Sequence, residues 1–184
     1  LPRPPPPPPR HGVRRQRQMC IRDRCVVDAG GLVGRHVGDG VVAFFPAVTS
    51  GSEGAAARAC IEAARSLKVA IGDVANRSDL AESDVAVRFG LHWGSTLYIG
   101  RITTAGRSEV TALGDQVNEA ARIEACATGG RMLASKELVE RLEPSDAVAL
   151  GIDIDRVVYT RLSELTTATD KARRDAPALA VCEV

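Results

Sequence analysis

From Cys25 onward the apolar residues fall into helical and alternating periods, whereas before it they follow no period at all. Residues Val26–Val33, loosely, and Val41–Phe45 form two apolar runs separated by GRHVGDG, a glycine-bracketed segment that predicts a β-hairpin with Asp39 at its turn. The alanine-rich stretch that follows places Ala56, Cys60, Ile61, Ala64, Leu67, Val69 and Ile71 on a broad helical stripe, with Ser52 as its N-cap. Val85, Val87, Phe89 and Leu91 alternate along DVAVRFGLHWG, which predicts a strand turning at GS into a second strand, TLYIGRI. EVTALGD then reads as a short extended segment leading into a helix, QVNEAARIEACA, ended by Gly129 and Gly130. RMLAS, DRVVYTRLSEL and APALAVCEV are strand-like, and SKELVERLE is a capped helix. Hairpin-connected strands with helices between them predict one α/β sandwich on a mostly antiparallel sheet, an α+β fold.

The first 24 residues change the bulk numbers. Leu1–Gly12 is mostly proline, a polyproline II composition. Arg14–Arg24, RRQRQMCIRDR, resembles a transposon-end sequencing adapter translated in one frame across eleven residues. The alternative is a basic arm for nucleic acid or anionic lipid. The expectation is a non-native, disordered tail over 1–24 and one domain over 25–184. The whole chain has 24 Lys+Arg and 23 Asp+Glu, of which the first 24 residues hold seven and one, leaving 17 against 22, a net of about −5. A mildly acidic domain of this size can bury a sizeable core and gives no support for general nucleic-acid binding.

Cys25, Cys60, Cys126 and Cys182 lie far apart without metal-ligand spacing, as expected for reduced thiols in a cytoplasmic protein. No apolar run is long enough to cross a bilayer and no signal peptide is visible, so no membrane contact is expected from this segment.

Two places carry candidate chemistry. Asp39 at a tight bend, with Gly38 and Gly40 leaving room for close approach, suits a hard divalent cation that shares substrate phosphates; the plain alternative is an ordinary turn aspartate. Asn118 and Arg122 stand four apart on a helix and so share a face. An arginine fork there can hold phosphate oxygens, the alternative being a solvated asparagine and an arginine paired with Glu119 or Glu124. Asp115 stands at the start of the same helix, favoured by the dipole.

GGLVGRHVGDGVVAFF, RFGLHWGSTLYIG and TALGDQVNEAARIEA, in this order, resemble the class III adenylate and guanylate cyclase catalytic domain, well from Cys25 to about Leu142 and loosely beyond. The family's pattern is a lysine-containing strand leading to GDG, a G-I/L-H-x-G segment and a G-D/N-x-V-N-x-A-A/S-R helix. The resemblance implies the ferredoxin-like nucleotide cyclase fold. It also implies conversion of ATP to 3′,5′-cyclic AMP and pyrophosphate with two Mg²⁺ or Mn²⁺ ions, at the interface of a head-to-tail homodimer.

Under it Asp39 is a metal ligand, Asn118 orients the ribose, and Arg122 stabilises charge on the α-phosphate. Thr111 and Arg35 take the purine-reading positions, with Gly38 and Gly40 at the phosphate-approaching turn. Threonine occurs in a recognised subset of cyclases and favours ATP, while Arg35 replaces the usual lysine. His92 matches a family histidine and is expected to be structural.

The family's second metal-binding aspartate sits in an F-x-D-I/V-x-G-F-S/T strand that these 184 residues do not contain. The expectation is therefore a domain lacking its first strand and helix, and inactive by itself. The alternative function is a non-catalytic nucleotide-binding or dimerisation module. A diguanylate cyclase would need a GG(D/E)EF turn, which HVGDGVVAFF does not supply.

Overall fold

The computed structural model describes residues 20–38, 40–77, 86–96, 98–104 and 107–184. It opens with a helix over residues 20–28 (α1). Val26–Asp28, expected to begin the hairpin, are thus helical, because Ile21, Cys25 and Val26 at helical spacing give the segment a face that meets the core. The boundary expected between 24 and 25 falls inside this helix, so residues 20–24 are structured; residues 1–19 lie outside the described residues. Arg22, on the same helix, is 8% exposed, and its buried Nε has no hydrogen-bond partner among the described residues.

Two antiparallel strands follow, β1 (Leu32–Val37) and β2 (Gly40–Phe44), joined at the GDG turn. Asp39 lies outside the described residues, whereas Gly38 takes φ +62°, a left-handed conformation that glycine adopts without Cβ strain. A single-turn helix, α2 (Ala47–Ser50), precedes the long α3 (Glu53–Arg77). Ser52 caps α3 as expected, its Oγ accepting from Ala55 N at 3.0 Å.

The remaining strands are β3 (Phe89–Leu91), β4 (Tyr98–Thr104), β5 (Arg107–Leu113), β6 (Met132–Ser135), β7 (Thr160–Arg161) and β8 (Ala180–Glu183). Between them stand α4 (Asp115–Cys126), α5 (Lys136–Val139), α6 (Pro144–Ala149) and α7 (Asp170–Asp175). DRVVYTRLSEL, expected as a strand, is mostly irregular and 3₁₀ backbone, with β7 as its only strand.

Among the described residues the strands form three sheets rather than one: β1–β2, β4–β5, and a four-stranded sheet in the order β3-β6-β8-β7. Only β3–β6 is parallel among the described residues, so pairing is mostly antiparallel, as the hairpin connections predicted. The four-stranded sheet separates two cores through its side-chain period of two. Met132, Ala134 and Cys182 face α3, packing with Ile61, Leu67, Ile71, Phe89 and Leu91. Leu133 and Val181 face the other way, onto Ile123 and Cys126 of α4 and Ala172 of α7. Every residue of β6 is buried, which explains a strand apolar on both faces.

Ile61 is fully buried in the first core. Ile61→Ala is expected to cost about 2–5 kcal/mol, read as a fall in the denaturant midpoint at constant slope. A loss below about 1 kcal/mol would mean that this face of α3 does not carry the core.

Candidate active site

The β5–α4 corner is built around Gly114, whose φ of +149° is closed to residues with a side chain. It turns the chain from Thr111, half-buried on β5 opposite Gly100 in the ladder, into α4. Asp115 occupies the first turn of α4, favoured by the positive end of the helix dipole.

Two devices hold α4 in place. Ile123 and Cys126 are fully buried in the second core. On its flank α4 lies so close to β3 that a Cβ at Gly90 would stand 2.4 Å from Glu124 N and 2.5 Å from Ala120 O. Gly90 is therefore a packing contact that only a hydrogen can make.

Three charged residues of α4, Glu119, Arg122 and Glu124, pair with side chains outside the helix. Glu119 Oε2 lies 2.9 Å from His92 Nε2, beyond the end of β3, and the His92 side chain is 5% exposed. Glu124 Oε1 lies 2.9 Å from Arg88 Nε. Both carboxylates that sequence offered as partners for Arg122 are thus engaged elsewhere. Arg122 Nε instead donates to Asp175 Oδ2 of α7 at 3.0 Å. Hydrogen bonds from Arg174 and then Arg122, against an opposing effect of burial, hold the Asp175 carboxyl below the usual range. Asn118, one turn before Arg122, is exposed. Asn118 and Arg122 share the solvent-accessible side of α4, with the apolar face turned to the core.

Arg35 is exposed on β1, and Gly38 and Gly40 are exposed at the turn. β1 packs beside β5, which brings the hairpin bearing Arg35 next to the strand bearing Thr111. A Cβ at Gly38 would meet nothing within 4 Å, so the turn opens onto free space. Among the described residues no three His, Cys, Asp or Glu side chains cluster as metal ligands, and no helix is long and apolar enough to cross a membrane.

A cavity of about 230 Å³ between α4 and the segment that follows β3 is lined by His92, Trp93, Gln116, Glu119, Glu137 and Arg141 among others. Asn118, Arg122, Arg35, Thr111, Gly38 and Gly40 do not line it. His92 Nδ1 and Trp93 Nε1 are buried there without hydrogen-bond partners among the described residues, and water in the cavity would satisfy them. His92 is therefore tied to α4 through one ring nitrogen only. Asp175, which sequence reading missed, is the residue that the structure adds to the Arg122 neighbourhood.

A terminal-differentiation specific adenylate cyclase from Dictyostelium discoideum is 31% identical over 144 residues, covering 77% of this chain, while the chain spans 6% of that protein's length. The fold is similar to that of the adenylyl cyclase CyaB from P. aeruginosa (TM-score 0.65, 18% identity, 92% of this chain and 80% of that one). It is also similar to that of the guanylyl cyclase Cya2 (TM-score 0.67, 20% identity, 94% and 81%). Residues 35–160 match the model of the adenylate and guanylate cyclase catalytic domain. On that match the chain belongs to the class III adenylate and guanylate cyclase catalytic domain family.

Proposed function

We propose that this domain, within its intact protein, converts ATP to 3′,5′-cyclic AMP and pyrophosphate. The observation that carries the reading is the shared accessible face of Asn118 and Arg122 on a helix locked to the core and to β3. Arg122 supplies rigid donors for charge developing on the α-phosphate, and Asn118 supplies an amide for the ribose. Thr111 offers a hydroxyl to the purine edge beside them, and its register on β5 fixes its distance from α4. Arg35 reads the base from the neighbouring hairpin, and Gly38 and Gly40 leave the backbone open for phosphate.

A carboxylate between two glycines at an open turn is a donor that a hard cation accepts, so Asp39 would hold Mg²⁺ or Mn²⁺ together with substrate phosphates. When bound, the cation neutralises phosphate charge and acidifies the attacking hydroxyl. The chain contains one of the family's two metal-binding aspartates, so by itself it is expected to show no turnover.

In this reading the site is completed between two copies arranged head to tail, Asp39 of one facing Asn118 and Arg122 of the other. The β4–β5 hairpin supports such a contact: Tyr98 and Leu113 are directly opposed in the ladder and stand 73% and 69% exposed. A paired, outward-facing aromatic and leucine make a surface suited to burial against a partner. The domain is expected to work as a soluble part of a cytoplasmic segment, without nucleic acid or membrane contact of its own.

The test is an assay of the full-length protein with Mn²⁺ and either ATP or GTP. Cyclic AMP from ATP is the expected product. Cyclic GMP formed at a higher kcat/KM would overturn the assignment of Thr111 and Arg35 to adenine. A second reading, a nucleotide-binding or dimerisation module without turnover, is favoured by Arg35 in place of lysine. Binding of ATP without cyclic product in the full-length protein would establish it and remove the first.

A further inference from the structure

Among the described residues the guanidinium of Arg122 is anchored at one atom, through the 3.0 Å bond from Nε to Asp175 Oδ2. Arginine has five N–H donors, and a bond through Nε leaves the four on its two terminal nitrogens for a phosphate. Asp175 is itself held: its Oδ1 accepts from Arg174 Nε at 2.7 Å, and its Oδ2 from Arg174 Nη2 at 3.4 Å.

The helix beneath it is fixed as well. Thr169 Oγ1 caps α7 by accepting from Ala172 N at 3.1 Å, and Arg173 donates to the carbonyl oxygens of Ser163 and Leu165. Ala172 and Ala176 are buried in the same core as Ile123 and Cys126 of α4, so donor and acceptor rest on elements packed against each other. The pair itself is partly exposed, with side chains 23% and 34% accessible, and such pairs contribute little to folding stability.

We propose that Asp175 is a positioning residue for catalysis. It fixes the plane of the Arg122 guanidinium so that the terminal nitrogens are already aimed when the nucleotide arrives. This rests on the reading that Arg122 stabilises phosphate charge. A preorganised donor acts without reorganisation at the moment of reaction, and small misplacements of such groups are costly.

Steady-state kinetics in the full-length protein tests the proposal. Asp175→Ala is expected to lower kcat about 10- to 100-fold while KM for ATP changes less than about twofold, the split expected when an interaction is realised in the transition state. Asp175→Asn keeps an oxygen acceptor for Nε and is expected to recover most of the lost rate. Arg122→Ala/Asp175→Ala is expected to be no slower than Arg122→Ala, since the two residues act as one unit.

A wild-type or raised kcat in Asp175→Ala would overturn the proposal, a raised one showing that the bond restrains Arg122 rather than aims it. Additive losses in the double variant would overturn it equally. Should Asp175→Ala unfold, Asp175→Asn decides: with its fold intact, a rate as low as that of Arg122→Ala contradicts the retained acceptor. If Arg122→Ala alone retains the wild-type rate, the reading of Arg122 fails, and it fails independently of Asp175.

Discussion

Arg122→Ala, assayed in the full-length protein, is expected to lower kcat by about 10²- to 10³-fold, the usual consequence of deleting one preorganised donor to a developing oxyanion. The loss should fall on chemistry rather than on folding. Arg122 lies on the accessible side of α4, alanine is an excellent helix former, and the helix keeps its hold through Ile123, Cys126 and the contact with Gly90. Arg122→Lys should recover little, because a point charge on a flexible stem replaces neither the fork nor the Nε bond to Asp175. Asp39→Ala is the companion variant, expected to abolish metal-dependent turnover. Cyclic nucleotide formation persisting in both variants at the wild-type rate would refute the assigned roles.

Gly90→Ala should be the most damaging small substitution in the fold. The new methyl would sit 2.4 Å from Glu124 N and 2.5 Å from Ala120 O, and both obstacles are backbone atoms of α4 rather than pliable side chains. Overpacking costs about 1–3 kcal/mol and occasionally more; here neither side can easily yield, because β3 is fixed by its register with β6 and α4 by its buried residues. A cost at or above that range is a large share of a domain's total stability, about 5–15 kcal/mol. Molecules that still fold must move α4 away from β3 and carry Asn118 and Arg122 with it. The thermal midpoint and kcat should therefore fall together, and an unchanged midpoint would contradict the close approach of helix and strand.

Much of this was legible in the sequence because the signals were local. Ser52 and the alanine-rich stripe announced α3, the paired glycines after Ala127 announced the end of α4, and the short apolar runs RMLAS and APALAVCEV announced β6 and β8. The three motifs led to the family that residues 35–160 match. What escaped was encoded elsewhere. The helical period of α1 straddles the seam at residue 24 and disappears when the first 24 residues are set aside. The short α6 begins at Pro144, a first-turn signal overlooked beside the polar surroundings. Asp175 stands 53 positions from Arg122 in a run of charges that reads as a solvated face, and nothing local marks it as a partner. The division into three sheets likewise depends on long-range pairing that periodicity does not carry.

That pairing has a kinetic corollary. The β1–β2 and β4–β5 hairpins close over turns of a few residues, whereas Leu91 meets Ala134 and Ala134 meets Cys182 only after more than forty residues have been gathered in. Distant closures are entropically slower than near ones. The segments bearing Arg35 and Thr111 are thus expected to zip up early in refolding, with the four-stranded platform condensing last.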